Sequence, residues 1–79
     1  MNSEEYILKK LESLSPVDKA LVEKMVTSLG EWCTVGSVAK YFNKHRNTIC
    51  SRLEEGDILY RRIGTSISIY TRSLIFLLE

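Results

Sequence analysis

Thr34-Val35-Gly36-Ser37-Val38-Ala39-Lys40-Tyr41-Phe42-Asn43, then Lys44 and His45, then Arg46-Asn47-Thr48-Ile49-Cys50-Ser51-Arg52-Leu53-Glu54-Glu55-Gly56, carries the architecture of this chain. Thr34 is a cap residue. Behind it Val35, Val38, Ala39 and Phe42 recur at helical spacing until Asn43, which tolerates the left-handed backbone that ends helices. A second short helix runs from Arg46 to Glu55, with Ile49 and Leu53 on one face, Asn47, Thr48, Ser51 and Glu55 roughly opposite, and Gly56 as its stop. Two short amphipathic helices joined by a three-residue turn have the spacing of a helix-turn-helix. The first pins the second so that its polar face and N-terminus stay presented.

Upstream, Ile7, Leu8, Leu11 and Leu14 make an apolar face on a helix that starts near Ser3, with early glutamates and later lysines that suit the helix dipole. Ser15 then caps a new helix. Pro16 fits its first position, Asp18 favours its positive end, and Gly30 closes it. Val17, Leu21, Val22, Met25, Val26 and Leu29 form the apolar stripe.

Downstream the period changes from helical to alternating. Ile58 to Ile63 and Ile67 to Tyr70 read as β-rich runs around Gly64-Thr65-Ser66, a small hairpin that would serve as a wing. Thr71 or Ser73 can cap a terminal helix through Leu74, Ile75, Phe76, Leu77 and Leu78. Five adjacent apolar residues cover more than one helical face, so some should stay exposed in a monomer and favour a partner. Trp32, Tyr41 and Phe42 are read as core packing.

The 79 residues suffice for one compact unit, and at 44% hydrophobic and 27% charged the composition is that of a folding chain. Its longest apolar run, Leu74 to Leu78, is far short of the ~20 residues that span a bilayer, so secretion and membrane insertion are not expected. Cys33, Cys50 and the single histidine are too few for a disulfide scaffold or a structural zinc site, and a reducing cytosol is the default. The net charge of +1 hides an asymmetry: residues 1–33 carry −2, residues 34–72 carry +4 and residues 73–79 carry −1. A basic central segment points to a polyanion, because phosphate neutralisation supplies most non-specific nucleic-acid affinity. No Ser, Cys or carboxylate spacing near His45 assembles a catalytic triad or a paired-acid site, and no enzyme, cofactor, metal or small-molecule substrate is expected.

Taken in order, Thr34 to Asn43, Arg46-Asn47-Thr48-Ile49, Leu53-Glu54-Glu55-Gly56-Asp57-Ile58 and Arg61-Arg62-Ile63-Gly64 resemble the excisionase-type, MerR-like winged helix-turn-helix family. The match runs in register from about Thr34 to Leu78. It includes Val38-Ala39, the Arg-x-Thr-Ile opening of the second helix, the Glu-Gly after it and the Arg-Ile-Gly entering the wing. Lys44 and His45 stand where the family more often has an apolar turn residue and a small cap. Ser66 and Ser68 occupy wing positions that often carry arginine.

The resemblance implies a mainly α fold with a small β-hairpin, a winged helix-turn-helix over residues 34–79. The resemblance also implies the second helix in the DNA major groove, the wing (residues 59–70) on the backbone, and a role as transcription regulator, excision factor or architectural factor in recombination or plasmid maintenance. Residues 1–33 lie outside the resemblance; their two helices are an N-terminal extension expected to pack on the domain or dimerise it. By resemblance Arg46, Thr48 and Arg62 fall on DNA-contacting positions. Geometry adds Asn47, Ser51 and Arg52, and the flanking Lys44, His45 and Arg61 complete the candidate interface. Arg46 and Asn47 have the donor patterns that read guanine and adenine edges. The expected partner is double-stranded DNA in the cytoplasm, bound by a homodimer or by side-by-side copies, since one module of this size touches few base pairs. The competing expectation is a protein-interaction adaptor or antagonist that keeps the scaffold without binding DNA.

Overall fold

Ser15 turns the chain into its longest helix. Its hydroxyl accepts the Asp18 N–H at 3.2 Å, Pro16 fills the first helical position, and the Gly30 N–H closes the far end on the Val26 carbonyl. The structure, a computed structural model, describes residues 3–78. In chain order the elements are α1 (Ser3–Glu12), α2 (Pro16–Leu29), β1 (Trp32–Cys33), α3 (Val35–Phe42), α4 (Arg46–Glu54), β2 (Tyr60–Ile63), β3 (Ser66–Tyr70) and a 3₁₀ helix (Thr71–Leu78). The fold is thus mainly helical with a small three-stranded antiparallel sheet in the order β1-β3-β2.

The hairpin is one strand richer than its sequence pattern indicates. β2 and β3 pair from Tyr60↔Ile69 to Ile63↔Ser66, leaving Gly64 and Thr65 as a two-residue turn. Gly64 has φ +61 and Thr65 does not take positive φ, the pattern of a turn whose first central residue must be left-handed. The added strand is β1, whose Trp32 and Cys33 pair with Tyr70 and Ile69. Alternation along β1 sends Cys33 inward and Trp32 outward. Trp32 therefore is not a core residue as its composition suggested. It is 45% exposed and packs against the Tyr70 ring, centroids 5.1 Å apart. Tyr41 likewise lies outside the core, exposed on α3 and edge-on to the half-buried Phe42.

A single apolar core takes Ile7 from α1, Val22 and Met25 from α2, Val38 from α3, Ile49 and Leu53 from α4, Ile69 from β3 and Leu74 from the 3₁₀ helix. The stripe of α2 is narrower than its sequence implies: Val17 and Leu21 face solvent.

The last helix also departs from expectation, in type and in burial. Polar side chains fix its first turn. The Thr71 N–H donates to the Glu31 carbonyl and its hydroxyl to Cys33 Sγ, while Ser73 Oγ accepts the Leu59 N–H at 3.0 Å and donates to the Tyr70 carbonyl at 2.7 Å. A helix of three residues per turn sends Leu74, Ile75 and Phe76 to three different sides. All three are buried, because α1 and α2 pack against this segment. Only Leu78 of the apolar run is exposed, so the run does not form the open surface its sequence suggests.

Candidate nucleic-acid interface

The turn between α3 and α4 is held at both ends. Asn43 takes the left-handed conformation (φ 55, ψ 50), and the Lys44 N–H donates to the Ala39 carbonyl at 2.8 Å. His45 then caps α4, its Nδ1 accepting the Asn47 N–H at 3.1 Å. Ile49 and Leu53 anchor α4 at 1% and 4% exposure. Anchored so, α4 turns Arg46, Asn47, Thr48 and Ser51 to solvent beside the exposed Lys44 and His45. These six candidates form one surface on the turn and the first half of α4.

Three further arginines of the basic central segment are engaged within the chain. Arg52 lies toward the 3₁₀ helix, where its guanidinium donates to the Phe76 carbonyl at 3.0 Å and faces Asp57 and Glu55 at 3.4 and 3.3 Å. Arg61 donates both terminal nitrogens to the Glu4 carboxylate of α1. Arg72 holds Glu31 at 2.7 Å and Glu23 at 2.9 Å, and its hydrogen bond to Glu31 keeps the pKa of that carboxyl below the usual carboxylate range. Acids of the first thirty-one residues thus neutralise part of the central excess. Lys40, Lys44, Arg46 and Arg62 make no ion pair among the described residues.

Arg61 and Arg62, adjacent in β2, are both exposed and both border one groove with Glu4. Arg62 borders a groove beside Leu53 and Glu54, at the C-terminal end of α4. Arg46 marks the other end, next to the hairpin turn. Arg62 is therefore separate from the cluster around Arg46, although both flank the same helix.

Gly36, Thr65 and Ser66, which lie beside Arg46, are not among the contact residues expected from the sequence, where Ser66 is only a wing position without arginine. A lone glycine inside a helical pattern was the available signal, since helices disfavour it unless packing requires it. Cys33 is buried, and burial pushes its thiol pKa up; Cys50 is half-buried near Arg46, and both are free thiols. Among the described residues no group of three His, Cys, Asp or Glu side chains is placed to hold a metal, and no helix is long and apolar enough to cross a membrane. Known protein families, curated proteins and solved structures give no match to this chain.

Proposed function

We propose that this chain is a winged helix-turn-helix protein that binds duplex DNA, with α4 in the major groove and the β2–β3 hairpin beside the backbone. The observation that carries the reading is the division of α4. Ile49 and Leu53 are locked inside while Arg46, Asn47, Thr48 and Ser51 stand out on a helix braced by α3. Asn47, Thr48 and Ser51 are short polar groups able to meet base edges, and Lys44 and Arg62 are cations without acidic partners among the described residues. Arg52 and Arg61 serve the architecture in this reading. The protein acts as a regulator of transcription or as an excisionase-like architectural factor, on the nucleoid, without enzymatic chemistry or cofactor.

Fluorescence anisotropy with a library of labelled duplexes tests this. Binding that weakens steeply as salt rises supports it, and no salt-sensitive binding to any duplex rejects it.

One observation favours a second reading, a protein-interaction module. Leu8, Val17 and Leu21 are exposed on α1 and α2, at 45%, 69% and 37%. Sedimentation and pull-down with nuclease treatment separate the two: a stoichiometric protein partner that survives nuclease, with no DNA binding, favours the adaptor.

A further inference from the structure

Arg46 borders a groove with three walls. Thr34 and Gly36 come from the start of α3, Cys50 from α4, and Thr65 and Ser66 from the hairpin. No carboxylate lines it. Arg46 reaches back across this groove toward α3: a Cβ added at Gly36 would stand 3.1 Å from Arg46 Nη1, tighter than ordinary contact.

We infer that Gly36 is a positioning residue, seating the Arg46 guanidinium against α3 where, with the Thr65 and Ser66 hydroxyls, it takes a DNA backbone phosphate rather than a base edge. The inference rests on the DNA-binding reading and deepens it. An arginine that reads guanine must extend from its helix along the base edge. Arg46 instead lies along the protein, between α3 and the hairpin turn. A guanidinium offers a fork of donors that matches phosphate oxygens, and serine and threonine hydroxyls are common partners of the same group. Arg52, Arg61 and Arg72 have carboxylates facing them, whereas Arg46 has none among the described residues, so its charge is available to an anion.

Gly36 has no positive φ, so a side chain there keeps the helical backbone; the atoms it meets are Arg46 Nη1 at 3.1 Å and the capping Thr34 hydroxyl at 4.0 Å. The test titrates a random duplex pool and a selected tight-binding duplex with the full chain, across a salt series. Arg46→Ala should weaken both by the same factor, about tenfold, and flatten the log–log salt slope by about 0.9. Gly36→Val should reproduce that loss, and the double variant should bind no worse than Arg46→Ala alone, because both changes remove one interaction. Gly36→Ala should give a smaller loss in the same direction while preserving or raising Tm, which separates binding from folding.

A loss confined to the selected duplex, with relaxed preference at one base pair, would overturn the phosphate role and leave DNA binding intact. Additive effects of Gly36→Val and Arg46→Ala would overturn the positioning role. No binding of any duplex by the unaltered chain defeats both readings together.

Discussion

Arg61 of β2 and Glu4 of α1 meet through both guanidinium nitrogens and both carboxylate oxygens, so the hairpin's outer arginine is already neutralised by the first helix. If the hairpin lies beside DNA as proposed, a phosphate there has to compete with Glu4 for that cation.

Glu4→Gln should therefore tighten binding to all duplexes alike and steepen the salt dependence by about 0.9 in log–log slope, since one more cation becomes available. In an Arg61→Ala background the same change should have a smaller effect, limited to the loss of one negative charge beside Arg62. Both side chains are about half exposed, so stability should move by less than about 1 kcal/mol. Anisotropy across a salt series, with thermal melts as control, measures both.

Glu31 is held ionised by its hydrogen bonds from Arg72, which outweigh the desolvation that would raise its pKa above the ordinary 4.5. A depressed carboxylate stabilises the fold above its unfolded pKa, and that stability is lost as pH falls through the folded value. Tm should thus drop on acidification below the usual carboxylate range. Glu31→Gln should flatten that part of the curve while lowering Tm near neutrality. Melts of the two proteins over an acidic pH series give the comparison.

Ser73 is fully buried and supplies the acceptor for the Leu59 N–H. Ser73→Ala leaves that donor unsatisfied inside the protein and should cost about 1–3 kcal/mol. Urea unfolding should show a lower midpoint with an unchanged m-value.

The two thiols should differ in reactivity. Cys33 is buried, its sulfur contacting the Ile69 carbonyl and the Thr71 hydroxyl, and its pKa is raised by desolvation; Cys50 is half-buried and borders the groove beside Arg46. A thiol reagent at mildly alkaline pH should modify Cys50 in the folded protein and reach Cys33 only on unfolding. DNA bound over the groove should slow the first reaction.

The helices were legible because their signals are local. Ser15 with Pro16, Thr34, Asn43, and the Ile49–Leu53 pair each act within a turn or two of their own position, and the structure places α2, α3 and α4 where those residues indicate. β1 was not legible, because two residues make a strand only through their pairing with Ile69 and Tyr70, far along the chain. The burial of Leu74, Ile75 and Phe76 was hidden for the same reason: it depends on α1 and α2 coming to cover them. At the candidate interface, the outward set on α4 could be read from periodicity. The capture of Arg52 by Phe76 and of Arg61 by Glu4 could not, since each joins elements whose proximity only the tertiary fold creates.

Chemical-shift mapping of the ¹⁵N-labelled chain with a short duplex tests the central claim, that the outward half of α4 enters DNA. The largest changes should fall on residues 44–51, with further changes at Arg62, the Gly64-Thr65 turn and Ser66. Changes concentrated around Leu8, Val17 and Leu21, or none at saturating duplex, would contradict it.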